Sequence, residues 1–233
     1  MDRDPVTAGL RRDRLERVRI VVRPIASPLA LGFLALAVGS FVVAGYELSW
    51  VNRSGNARAV GLIVLSVPVP LQFVSAVVGF AARDVVAATG MGMLSGTWLA
   101  TGLVILTGPP GATSPALGLL LVSAATSIGV TAITAAITKE LAGAVMGLAS
   151  VRFYLAGASE LTASPTWRVA AGACGIALAV LAVYAALAFE AESVSGRTVL
   201  PTGRRGSGRL AMAGTLSDQL AGIEHESGVR RQL

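Results

Sequence analysis

Charge, cysteine, histidine and aromatic rings are all scarce in this chain of 233 residues. Only 14% of it is charged, against about 25% in a typical soluble domain. The sole cysteine, Cys174, excludes a disulfide framework and any thiolate zinc cluster. The sole histidine, His225, lies near a polar C-terminus and excludes most histidine-based catalysis. With aromatics at 5%, the 54% apolar fraction rests on Ala, Val and Leu, beside 27 glycines. That mixture fits close helix packing in lipid better than a water-soluble core. So much apolar surface also excludes disorder over most of the chain. The composition is that of an integral membrane protein.

Sites for covalent chemistry are missing too. There is no G-x-S-x-G, no H-E-x-x-H, no P-loop and no Cys/His cluster. The aspartates, Asp2, Asp4, Asp13, Asp84 and Asp218, all avoid the middle of the apolar runs. No enzyme, cofactor or metal site is expected. The net charge of +6 does not point to nucleic acid, because the arginines gather at the two ends and lack interleaved stacking aromatics. The basic ends read as topological anchors and contacts to anionic lipids.

What is present is a series of apolar runs, each near the 20 residues needed to cross the hydrocarbon core. They cover Leu29–Tyr46, Ala59–Ala82, Val85–Thr107, Ser114–Thr138, Leu141–Leu161 and Arg168–Phe189. Polar, charged or proline-glycine breaks separate them: Arg53–Asn56, Arg83–Asp84, Gly108–Gly111, Lys139–Glu140 and Thr162–Thr166. The expected fold is an all-α integral membrane protein with six transmembrane helices. Seven arginines precede residue 28 and six follow residue 190, with Arg83 and Lys139 on the same side. Only Arg53, Arg58 and Arg168 fall on the other. By the positive-inside rule both termini are cytoplasmic, as an even span count also requires for ends on one side. This predicts a multi-pass protein of the inner membrane.

Three segments follow: a basic N-terminal part (1–28), a membrane domain (29–190) and a flexible cytoplasmic tail (191–233). The N-terminal part is too long and charged for a cleavable signal, and no small-residue cleavage site follows it. Residues 8–23 read either as an amphipathic helix on the inner leaflet, with Leu10, Leu15, Val18 and Val22 on one side, or as a disordered basic tail.

Polar groups within spans are costly in hydrocarbon and are therefore the candidate site. Arg152 falls about 16 Å along its helix, near the bilayer midplane. Its guanidinium faces a polar cavity or an acidic partner, or else snorkels to an interface. Gln72 follows Pro68 and Pro70 and either borders a cavity or bonds between helices. Trp98 lines a pore or meets lipid. Tyr184 lies within the last span, where its hydroxyl needs a partner. Glu47, Glu160 and Glu190 fall at span ends, the solvated place for a carboxylate. Gly90, Gly92, Gly96, Gly172 and Gly175 mark close helix contacts, and Cys174 a small packing position.

In order along the chain, several motifs resemble those of the acetate uptake transporter family, which includes the bacterial succinate–acetate permeases. Ser27-Pro28-Leu29-Ala30-Leu31-Gly32 is similar to the family's N-P-x-P-L-G. Gln72 and Trp98 keep the 26-residue spacing of a family glutamine and tryptophan. Gly172, Gly175 and Tyr184 follow in the last span, and Gly196–Pro201 reads G-R-T-V-L-P like the family's closing motif. The resemblance spans most of residues 27–201.

The resemblance implies a six-helix protomer that assembles as a homo-hexamer. Each protomer would pass acetate, related monocarboxylates or succinate, by proton-coupled symport or as an anion channel. It also implies a hydrophobic constriction, with Leu36 at the family's Phe, Leu94 at its Tyr, and Leu148 or Ala149 at its Leu. Backbone N–H groups near Pro28 would meet the carboxylate at the mouth. Ser27 and Ala30 depart from the signature, Leu94 lacks the tyrosine hydroxyl, and Arg152 brings a charge foreign to the comparison permeases. Arg152 is then the expected carboxylate contact. The absence of a mid-span Asp, Glu or His favours channel-like passage or passage of the protonated acid. Two alternatives stand beside this reading: a non-transporting signalling or assembly protein, and a transporter of another small solute.

Overall fold

The computed structural model describes residues 25–213. The candidate amphipathic helix over 8–23, most of the basic N-terminal segment, and residues 214–233 with His225 lie outside the described residues. Among the described residues there are eight helices and no strand. They are α1 (Leu29–Glu47), α2 (Arg53–Ser66), α3 (Pro68–Ala81), α4 (Val85–Thr107), α5 (Pro115–Thr138), α6 (Glu140–Thr162), α7 (Pro165–Ser195) and α8 (Gly206–Ala213). Because α2 and α3 run on as one span, six helical stretches are long and apolar enough to cross a membrane.

Local chemistry sets the breaks. Asn52 caps α2 by accepting from the Gly55 N–H at 2.9 Å, and Asp84 and Ser114 cap α4 and α5 in the same way. Pro115 and Pro165 sit in first turns, where a missing N–H costs nothing. Ala163 ends α6 in the left-handed region at φ 54°. The polar run Arg53–Asn56 is therefore not a connecting turn. It is the first turn of α2, and the chain reverses before it. Further on, Pro68 and Pro70 remove the donors that would serve the carbonyls of Val64 and Ser66. The second span bends there, with Val67 at φ −114° and ψ −72°.

The last span is longer than its apolar run suggests, starting at Pro165 and continuing past Phe189 to Ser195. The segment after it folds back onto the bundle instead of leaving it, contrary to the flexible tail expected from residue 191. Glu192 is buried and takes three hydrogen bonds of 2.6–2.9 Å from Arg204. Arg205 pairs with Glu140, the Glu140 N–H donates to the Gly203 carbonyl at 3.0 Å, and the Tyr184 hydroxyl donates to the Pro201 carbonyl at 3.2 Å.

Helices α1 and α7 pack antiparallel. Phe33 meets Phe189 with ring centres 5.9 Å apart at one end, and Gly172 lies against Leu48 at the other. Both ends of the described chain thus share one end of the bundle, called proximal below. The loops after α1, α4 and α6 form the distal end. Apolar side chains also cover the outside: Phe80, Ile133 and Val180 are 69%, 70% and 67% exposed. A bundle apolar within and without is built for lipid.

Small residues let the helices approach. A Cβ on Gly143 would lie 2.8 Å from Ala136, and one on Gly157 would lie 2.9 Å from Val122. Gly96 breaks the expected pattern, because nothing lies within 4 Å of its Cβ position.

Candidate functional site

Helices α1, α2, α4, α5, α6 and α7 and the loop before Ser114 enclose a distal cavity of about 100 Å³. Arg152 forms part of its wall from the middle of α6 and is only 1% exposed. Its Nη2 donates to Glu47 Oε2 at 3.1 Å, and the Glu47 side chain is 13% exposed. The guanidinium carbon stands 5.6 Å from the ring centres of both Trp98 and Phe153. Those two rings meet edge to face, also at 5.6 Å. A guanidinium removed from water requires such a partner and such faces. Of the alternatives for Arg152, snorkelling is excluded, while the cavity and the acidic partner are both found.

The expectation that Glu47 and Glu160 are merely solvated at span ends does not hold. Both line the cavity. Glu160 Oε2 accepts from the Ser114 backbone N–H at 2.6 Å, which fastens the loop after α4 to α6. Arg53 and Arg168 complete the charged lining, and Arg53 lies 5.1 Å from the Tyr46 ring centre. Three arginines therefore face two glutamates. A buried arginine demanded an acidic partner, and Glu47 and Glu160 were the carboxylates at the distal ends of spans. That signal narrows the partner to these two carboxylates without choosing Glu47.

Trp98 is fully buried in the cavity wall and not against lipid. Its Nε1 has no hydrogen-bond partner among the described residues, and the same holds for Nε of Arg53, Arg152 and Arg168. With Arg53, Arg152 and Arg168 against Glu47 and Glu160, the cavity lining carries more cationic than anionic groups, which suits an anion with oxygen acceptors.

The other sequence candidates lie elsewhere. Ser27 is exposed and Pro28 buried at the proximal foot of α1, and Leu31 is 38% exposed on its outer side. Gly32 is buried against Met91. Gln72 is fully buried, and its Nε2 donates to the Gly32 carbonyl at 3.4 Å, so it links α3 to α1 away from the cavity. Tyr184 holds the C-terminal segment, as described above.

Leu36 and Leu94 lie in the core between these two levels, both fully buried. Gly32 abuts Met91 and Gly39 abuts Trp98, so α1 and α4 run parallel and Leu36 shares a level with Leu94. At the third position, Ala149 is fully buried while Leu148 is half-buried with its carbonyl toward Cys174. Sequence reasoning did not find the two methionines of this core. Met91 fills the space at Gly32, and Met146 lies beside Gly90.

The fold and its apolar spans define an all-α bundle with six helical stretches long and apolar enough to cross a membrane. Its architecture is similar to the solved structure of the bacterial acetate channel SatP, with a TM-score of 0.68 and 18% identity. The match covers 77% of this chain and 100% of that one. No protein-family model and no curated protein matches the sequence.

Proposed function

We propose that this protein is a membrane channel or transporter for small carboxylates, with acetate as its reference substrate. The observation that carries this reading is the buried Arg152 guanidinium in the wall of a cavity that Arg53 and Arg168 also line. The guanidinium fork suits a carboxylate geometrically, and the likeness in fold to an acetate channel supports the same substrate class. The motifs at residues 27–32, 72–98 and 196–201 support descent from the acetate uptake transporter family. Hexameric assembly, cytoplasmic termini and an inner-membrane location follow from that proposal.

In this reading anions concentrate in the distal cavity, where positive charge is in excess. They then pass an apolar neck at Leu36, Leu94 and Ala149, with Met91 and Met146 packed beside it. A neck of that kind excludes hydrated ions and opens by side-chain movement, for which the flexible methionines are suited. Glu47 and Glu160 supply titratable groups beside the path, where the apolar runs alone offered none. Proton-coupled passage therefore stands beside channel-like passage.

Uptake of radiolabelled acetate into proteoliposomes, with and without an inward pH gradient, tests the reading. Arg152→Gln removes a charge-assisted hydrogen-bond donor, worth about 1.5–3 kcal/mol, and is expected to lower uptake at least tenfold. Uptake unchanged by the substitution would count against Arg152 as the contact. Folded protein that moves no acetate above empty liposomes would overturn the function.

A further inference from the structure

We propose that Glu47 is a tethered carboxylate that competes with the transported carboxylate for Arg152. Substrate gains the guanidinium when Glu47 leaves it. This rests on the reading of the distal cavity as a carboxylate site, and adds to it an internal competitor and a charge preference.

The geometry of the pair points to an exchangeable contact. An arginine can hold a carboxylate by two parallel N–H···O bonds. Glu47 is held through Nη2 alone, at 3.1 Å. Arg152 Nε is buried beside Gly175 and has no hydrogen-bond partner among the described residues. Chemically, the end of the glutamate side chain is a CH₂–COO⁻ group, so a place that accepts it accepts acetate.

Glu47 is also poorly placed by its own helix. It is the last residue of α1, where the carbonyl end of the helix dipole disfavours negative charge. The arginines hold it there, and Arg53 and Arg168 line the same cavity as alternative partners once it leaves Arg152. Glu160 is engaged by the Ser114 N–H and serves the loop.

The same inventory sets a preference. With both glutamates ionised, the three arginines leave the cavity one positive charge in excess. A single monocarboxylate neutralises that excess, whereas a dicarboxylate overshoots it. Acetate is therefore favoured over succinate at this site.

The test titrates the full-length protein in detergent with sodium acetate, against sodium chloride at constant ionic strength. Tryptophan fluorescence is the readout, because Trp98 stands beside Arg152. Wild type, Glu47→Gln, Glu47→Asp and the double variant Glu47→Gln/Arg152→Gln are compared, and acetate flux is measured for each in proteoliposomes. Glu47→Gln is expected to lower the half-saturating acetate concentration about tenfold by removing the competitor, and the double variant to bind none.

A folded Glu47→Gln with unchanged or weaker binding overturns the proposal, and flux in wild type then leaves the transport reading in place. Should Glu47→Gln fail to fold, Glu47→Asp decides. Its shorter arm loosens the pair and lowers half-saturation several-fold, and no change overturns the proposal. Tighter acetate binding by Glu47→Gln without flux in wild type supports the tethered carboxylate and overturns the transport reading. Absence of binding in every protein overturns the proposal, and only absence of flux as well overturns the transport reading.

Discussion

Gly175 of α7 gives the Arg152 guanidinium its place: a Cβ at residue 175 would lie 2.9 Å from Arg152 Nε and 2.9 Å from Ala44 Cβ. The glycine therefore does more than bring α7 close to α1. It leaves the volume in which a buried charge reaches across to Glu47 on α1.

Gly175→Ala is accordingly expected to push Arg152 from Glu47 and to cost about 1–3 kcal/mol as an overpacking change. Gly172→Ala is the useful contrast. Its Cβ would lie 2.7 Å from Leu48 Cγ and 3.3 Å from the Ala44 carbonyl, and the half-buried Leu48 side chain at the distal end can turn aside. Thermal unfolding in detergent should show a clear loss for Gly175→Ala and a smaller one for Gly172→Ala. Equal losses would mean that α1–α7 packing, and not Arg152, sets the need for glycine.

The C-terminal segment offers an independent test. Glu192 is 1% exposed and is held by Arg204 and by the Thr198 hydroxyl at 2.8 Å. Removing one member of a buried pair strands the other and costs about 3–5 kcal/mol. Glu192→Ala should therefore release residues 197–205 from the proximal end. Limited trypsin digestion should then cut after Arg197, Arg204 or Arg205 much faster than in wild type. An unchanged cleavage rate would show that Tyr184 and the Glu140–Gly203 backbone contact suffice to hold the segment.

The membrane spans were legible because apolar runs bounded by prolines, glycines and charges need no knowledge of tertiary contacts. The errors fell where polarity and secondary structure part company. Arg53–Asn56 reads as a turn by composition, yet Asn52 caps a helix that contains it. The stretch 191–195 reads as tail, yet Glu192 is buried because Arg204 returns to meet it. The candidate site was half legible. A buried arginine announces itself in an apolar run, but its partner Glu47 stands 105 residues earlier in the chain. No local period links the two. Gln72 and Trp98 share a motif spacing and nevertheless serve different places, one tying α3 to α1 and the other lining the cavity.

The proposed neck offers the most direct test of a link between packing and passage. Leu94 is fully buried at the level of Leu36, just below Trp98 in the cavity wall. Truncation to alanine removes core contacts and costs about 2–5 kcal/mol, depending on how far the neighbours collapse into the space. If Leu94 closes the path, Leu94→Ala should raise acetate flux several-fold despite lower stability, and should raise succinate flux by a larger factor because the neck is wider. If Leu94 is only core, stability falls and flux falls with it. Flux in proteoliposomes, normalised to folded protein, separates the two. Relaxed selection between acetate and succinate in Leu94→Ala, together with unchanged acetate binding at Arg152, would assign the size filter to the neck and the charge filter to the cavity.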